Sequence, residues 1–291
     1  MLEANALLAL ASAVLWGGGD FFGGMGVKSA GGSMRGALRV VLTSHAASFC
    51  MLASIALVRG DRFPSGAPLY WGLMAGVMGG LSLTGFYVAL SRGAMGASAA
   101  ISGLLAAAIP SAVSIVREGS PGWLRIVGFV VAGCAIWMIA AGENPEAVPA
   151  SAGTMWLAIG AGVGFGVYFV ALKYAAAAGL VWPMATARIG SLTECSAMLL
   201  AMTLGSGTRD GRWLPRRAVL WSLATALGDT TGNILFMAAT RAGRLDVASV
   251  LASLYPASTI LLAAWTLHER PTRRQGVGML VAAAAVVMIT V

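Results

Sequence analysis

Ionisable side chains are scarce in this chain of 291 residues, and six of them are the candidates for deep placement within long apolar stretches: Asp20, Arg39, His45, Arg188, Glu194 and Asp229. A charge at the centre of a membrane helix costs about 2.5 to 3.5 kcal/mol on insertion scales. Each must therefore be offset by a partner, by water, or by a side chain long enough to reach the headgroups. Asp229 and Glu194, near the middle of their stretches, are too short for the last remedy and point to a bundle interior or a wet cleft. Arg188 lies roughly 10 Å from the start of its stretch and Arg39 roughly 5 Å, at 1.5 Å per residue. Arg188 reads as cavity lining and Arg39 as a snorkelling side chain. The segment Gly228-Asp229-Thr230-Thr231-Gly232-Asn233 sets Asp229, Thr230 and Asn233 at helical spacings on one face. That seam suits a polar solute, with hydrogen bonding between helices as the alternative. Asp20 follows Trp16-Gly17-Gly18-Gly19, where a carboxylate beside close-packing glycines suits a cation or an inter-helix contact. Trp16, Tyr87, Tyr168 and Tyr255 supply rings that can stack on a substrate or simply pack.

His45 and Glu194 each stand six residues after an arginine, Arg39 and Arg188 respectively. An imidazole and a carboxylate are the side chains most readily fitted to a proton cycle, so the pair is a candidate for proton coupling; a satisfied packing histidine is the alternative. Covalent catalysis finds little to work with. Ser98, in Gly96-Ala97-Ser98-Ala99, would need a base, and His45 and His268 are the two histidines of the chain. Two histidines and three separated cysteines, Cys50, Cys134 and Cys195, make a poor metal site. No GxxxxGK[ST] phosphate loop is present, so neither a nucleotide nor any other cofactor is expected.

The elements that must position these groups follow from composition. Hydrophobic residues make up 58% and charged residues 10%, with a mean hydropathy of +0.82. Water-soluble domains carry about 25% charge, so the bilayer is the expected solvent. A crossing needs about 20 apolar residues, and ten such stretches fit: 4 to 26, 36 to 58, 68 to 91, 95 to 116, 123 to 141, 153 to 174, 181 to 204, 218 to 239, 245 to 267 and 274 to 290. The first is preceded by no Lys or Arg, so it is expected to persist as a span rather than act as a cleaved leader. Continuous runs of this length lack the ten-residue alternation of a membrane barrel. The clearest linker is Gly142-Glu143-Asn144-Pro145-Glu146-Ala147-Val148-Pro149.

The two sides of that linker match at an offset of 149 to 151. Trp16-Gly17 aligns with Phe165-Gly166, Arg39 with Arg188, Tyr87 with Phe236, Trp71 with Trp221, Ala97-Ser98 with Ala248-Ser249, and Gly128 with Gly278. Five spans is an odd number, so the second copy enters from the opposite face. The expected fold is all-α and polytopic: ten transmembrane helices as two inverted five-helix repeats, 1–141 and 153–291, joined by a linker at 142–152.

Ala248-Ser249, Leu254-Tyr255-Pro256 and Glu269-Arg270-Pro271-Thr272-Arg273-Arg274-Gln275-Gly276-Val277-Gly278 together resemble the penultimate helix, closing glutamate and final-helix start of the ten-helix EamA-type transporters of the drug/metabolite transporter superfamily. In the first half Glu118 and Gly128 fit the pattern, whereas the glutamine is missing and Pro110 sits about five residues later than Pro256 does. The resemblance implies secondary transport of a small metabolite, with a cavity between the halves and both termini cytoplasmic. A Lys/Arg tally of the loops runs the other way: seven on the side of the termini and ten on the opposite side. The net charge of +8 is spread through short loops without a nucleic-acid stripe, so membrane lipid is the expected partner, and no nucleic acid. The expected activity is secondary active movement of an amino acid-like or amphipathic compound, as efflux across the plasma membrane, by a multi-pass monomer or homodimer with protons as candidate coupling ion. A non-transporting scaffold or sensor is the alternative. The expected site combines Trp16, Asp20, Tyr87, Arg188, Asp229, Asn233 and Tyr255 for substrate with His45 and Glu194 for protons.

Overall fold

The computed structural model describes residues 3–91, 95–140, 151–206, 213–268 and 271–291. Among them the chain is helical with no strands. The first five helices are α1 (Ala4–Ser29), α2 (Met34–Arg59), α3 (Ala67–Ser91), α4 (Met95–Glu118) and α5 (Trp123–Ala140). They are followed by α6 (Ala152–Ala175), a short 3-10 turn at Ala176–Ala178, α7 (Val181–Ser206) and α8 (Arg216–Ala242). Two short helices, α9 (Leu245–Ala252) and α10 (Tyr255–Leu267), then share one crossing, and α11 (Arg273–Thr290) ends the chain. Eight segments are both long and apolar enough to cross a bilayer. The remaining two, α7 and α8, have 26 and 27 residues and are the helices that carry Arg188, Glu194 and Asp229.

Helix ends fall where local chemistry dictates. Ser33 and Ser151 accept from the amides of Gly36 and Thr154, and Thr272 forms a reciprocal capping box with Gln275. Gly60 closes α2 at φ 69°, a left-handed cap that glycine adopts at little cost. The linker at 142–149 lies outside the described residues; beyond it α6 already begins at Ala152, one residue ahead of the expected start.

The inverted repeat is visible in its contacts. A Cβ on Gly128 of α5 would meet Ile289 Cγ1 at 2.8 Å and Met288 Cβ at 3.1 Å; one on Gly278 of α11 would meet Ile139 Cγ1 at 2.9 Å and Met138 Cβ at 2.9 Å. Each residue of the first contact is 150 positions from its counterpart in the second, and the start of each helix meets the end of the other. The two helices are therefore antiparallel about a twofold axis, which two parallel repeats could not produce. Other helix pairs obey the same exchange. α1 packs on α8 as α6 packs on α3, and α4 packs on α6 as α9 and α10 pack on α1. Gly17 faces Ser258 just as Gly166 faces Ile109, again at an offset of 149.

One expected helix is broken. The stretch 245 to 267 divides at Ser253–Leu254, while its repeat mate α4 runs unbroken through Pro110. Pro256 has no N–H for the Ala252 carbonyl, and the Ala257 amide turns to Leu254 instead. All eight residues of α9 are buried, so packing rather than propensity holds this short helix.

At the end that carries both termini, a polar network joins four helices. Arg244 donates to the carbonyls of Glu118 (3.3 Å) and Gly119 (2.7 Å) and to the buried carboxylate of Asp246 (2.7 Å). Asn5 of α1 donates to the Arg244 carbonyl (3.1 Å). Glu118 pairs with Lys173 of α6 and also accepts from Ser114.

Candidate functional site

A cavity open on one side lies where the two repeats meet. Its walls come from both halves: Trp16 and Asp20 of α1, His45 of α2, Gly76, Gly79, Gly80 and Phe86 of α3, Phe165, Tyr168 and Phe169 of α6, Arg188 and Ser191 of α7, Asp229 and Asn233 of α8, and Tyr255 of α10. The glycines on α3 are there for proximity. A Cβ on Gly76 would run into the Ala187 carbonyl of α7, and one on Gly79 would touch the Tyr168 ring at 3.1 Å.

Arg188 is the hub of the polar wall. Its Nε donates to Ser48 Oγ (3.0 Å) and its Nη1 to His45 Nε2 (3.0 Å). Nη2 pairs with the Asp229 carboxylate and reaches Thr230 Oγ1 (3.4 Å), and the Ser48 and Thr230 hydroxyls touch at 2.5 Å. The guanidinium has no lone pair to offer, so His45 Nε2 must be the acceptor and its proton must sit on Nδ1, facing Ser191 Oγ (2.8 Å). Ser191 can then donate onward to the Arg188 carbonyl (3.1 Å). His45 is therefore held as the neutral imidazole by its own hydrogen bonds. The Arg188 side chain is 4% exposed and that of Asp229 is 32% exposed, so the guanidinium is sealed in while the carboxylate edges the cavity.

Asp20 reaches this wall through a close helix crossing. Gly19 and Gly228 bring the backbones of α1 and α8 together: a Cβ on Gly228 would lie 3.1 Å from the Leu15 carbonyl, and one on Gly19 would lie 3.1 Å from the Asp229 nitrogen. The residue after each glycine is an aspartate, so Asp20 and Asp229 come within electrostatic range of each other, with Tyr255 beside Asp20. Among the described residues no hydrogen bond or ion pair is made to the Asp20 carboxylate. The same cavity has an aromatic wall. Trp16 stacks on Phe169 with centroids 5.0 Å apart and planes 4° from parallel, and Phe236 backs both rings. Tyr168 donates to Asn233 Oδ1 (2.6 Å), and Asn233 donates to the Asp229 carbonyl (2.7 Å), so a chain of hydrogen bonds runs from α6 to α8.

Of the residues expected from sequence, Trp16, Asp20, His45, Arg188, Asp229, Asn233 and Tyr255 line one cavity. The side chain of Tyr87 lies outside the described residues, as does that of Ser98. Glu194 stands apart from the lining, behind Gly80 of α3, where it accepts from Cys195 Sγ (3.1 Å) and leaves Oε1 buried without a partner. His45 and Glu194 share no hydrogen bond among the described residues; the partner of His45 is Arg188. Arg39 is half-buried near the end of its helix, donating to the Trp213 carbonyl (3.4 Å) and lying 5.8 Å from the Trp213 ring. Sequence reasoning missed Ser48 and Ser191, which hydrogen-bond Arg188 and His45, and the ring wall of Phe86, Phe165 and Phe169. The serines could have been found, since Ser48 is three residues after His45 and Ser191 three after Arg188. Among the described residues no three His, Cys, Asp or Glu side chains group where a metal could bind.

Residues 152–291 match the model of the EamA-like transporter family. No curated protein matches the chain. Among solved structures, one crystal structure superposes with a TM-score of 0.70 at 14% identity, covering 100% of this chain and 99% of its own. At that identity it speaks to the fold alone, and it does so over the full length, including the half that lies outside the family match.

Proposed function

Because residues 152–291 match the EamA-like transporter family and the chain is a multi-pass membrane protein, we propose that it is a secondary active transporter moving a small metabolite through the central cavity by alternating access. The observation that carries this reading is the placement of the Arg188–Asp229 pair: an intramembrane charge pair at the junction of two inverted repeats, bordering a cavity walled by both. Ionisable groups at membrane depth are costly and mark substrate or ion pathways. Inverted repeats supply the motion, since rocking one half against the other exchanges which end of the cavity is open.

Protons are the coupling ion in this reading, and efflux across the plasma membrane is its direction. A proton added to His45 Nε2 would set a second cation against Arg188 and loosen its hold on Asp229, so proton binding and cavity rearrangement are linked through one hydrogen bond. Glu194, six residues along the same helix and separated from the cavity by Gly80, is the second group in the proton route.

The test is flux in proteoliposomes. Protein reconstituted at known density is expected to move at least one labelled small metabolite faster than empty vesicles, with a pH-sensitive dye reporting proton movement. Asp229→Asn is expected to slow that flux at least about tenfold, the scale of one lost charge-assisted hydrogen bond. Folded protein that moves neither solute nor protons across a broad panel sinks the reading in favour of a scaffold or sensor.

A further inference from the structure

The cavity is unequally provided with charge, and the imbalance names a class of solute. Its lining holds two carboxylates, Asp20 and Asp229, one guanidinium, Arg188, and one imidazole, His45. Arg188 and Asp229 neutralise each other. Three of the guanidinium's nitrogens are already engaged, on Ser48, His45, Asp229 and Thr230, and at 4% exposure the group cannot turn toward a solute. His45 is neutral by the bonding described above. What remains is Asp20, a carboxylate on the cavity wall with no hydrogen-bond or ion-pair partner among the described residues, lining the same cavity as Tyr255 and the aromatic rings, with Trp16 one turn before it on α1.

We infer that the cavity binds amphipathic amines, solutes with an aromatic or apolar body and a protonated nitrogen but no carboxylate, with the nitrogen held by Asp20. This assignment rests on the transport reading for its physiological meaning but not for its chemistry. A protonated amine supplies the missing positive charge and the donors that the Asp20 oxygens lack. Its ring or alkyl body lies against Trp16, Phe86, Phe165 and Phe169, which offer area and π-faces without polar demand. A carboxylated analogue brings a third carboxylate beside two others and meets no available cation, so it is rejected by repulsion as well as by an unpaired oxygen. Tyr168 does not relieve it, because its hydroxyl proton is spent on Asn233 Oδ1, and Asn233 is buried with an N–H on the Asp229 carbonyl.

Four compounds that share an indole ring isolate the charge: tryptamine, L-tryptophan, indole-3-acetate and indole. Binding to the purified full-length protein in detergent, read by thermal shift and by calorimetry, is expected to favour tryptamine about ten- to a hundredfold over the other three, the range of one charge-assisted hydrogen bond. Asp20→Asn is expected to reduce tryptamine affinity to that of indole, and Asp20→Glu to retain most of it. The wild-type ranking alone decides the matter even if a variant fails to fold. Tryptophan or indole-3-acetate binding as tightly as tryptamine, no binding by any of the four, or a folded Asp20→Asn protein with unchanged tryptamine affinity overturns the assignment. Amine binding without flux in proteoliposomes would overturn the transport reading and leave the Asp20 site standing. Flux of a carboxylated solute without amine binding would do the reverse.

Discussion

One guanidinium fastens three helices together: Arg188 of α7 holds Ser48 and His45 of α2 and Asp229 and Thr230 of α8. Removing one partner of such a pair is worse than removing both, because the survivor keeps its desolvation cost without its compensation. Asp229→Asn is therefore expected to destabilise the protein by about 1 to 3 kcal/mol, below the 3 to 5 typical of a fully buried pair because the Asp229 side chain is 32% exposed. Arg188→Met combined with Asp229→Asn is expected to lie closer to wild type than the sum of the two single losses, and thermal unfolding of all four proteins in detergent measures this. Arg188→Lys is not a mild substitute, since an ammonium cannot make the fork that spans His45, Ser48 and Asp229 together. At this scale the sequence announced the charged residues, because charge in an apolar run is rare, but not their partners. His45 and Glu194 are mates by repeat position, yet residues related by a twofold axis touch only when both lie near it. Glu194 lies beyond Gly80, and Arg188, a turn and a half earlier on α7, takes the contact instead.

Among elements, the α5–α11 pair offers the sharpest test of symmetry. Gly128 and Gly278 meet the same two residue types at nearly the same distances. A leucine at either position must displace a neighbouring Ile and Met, which by overpacking costs about 1 to 3 kcal/mol. Gly128→Leu and Gly278→Leu are expected to lower the unfolding temperature by matching amounts; a loss confined to one of them would contradict the twofold packing. Helix limits were legible to within a few residues throughout, since apolar runs and their polar punctuation report directly on the bilayer. The break at Ser253–Leu254 was not, although its cause, Pro256, was in plain view. Pro110 has the same chemistry in α4 without a break, so a proline alone does not decide. Whether a helix breaks depends on whether neighbours bury the freed turn, as they do around α9, and that information is tertiary. The rings of Phe86, Phe165 and Phe169 stayed hidden for a related reason: an apolar side chain facing a cavity has the same sequence signature as one facing lipid.

For the whole molecule, the twofold relation is strict in its packing and loose in its polar chemistry. Arg244 and Asp246 correspond, at the drifting offset of 151, to Gly93 and Met95, so this pair of residue types does not recur at the matching positions of the first repeat. Arg244→Ala would leave the Asp246 carboxylate, 0% exposed, without its cation and release the end of α4, an expected loss of about 3 to 5 kcal/mol. A cysteine placed at buried Ser249 is expected to react slowly with a small maleimide in the parent protein and at least several-fold faster in the Arg244→Ala background. Unchanged labelling would mean that the clamp does not hold that end shut. The clamp at the end that carries both termini also bears on rectification. An alternating carrier whose two end states differ in free energy spends unequal times facing each compartment, so its maximal inward and outward velocities differ, while reversibility fixes the final concentration ratio by the gradients alone. A kinetic preference for one direction would then depend on Arg244, and its removal would shift that preference.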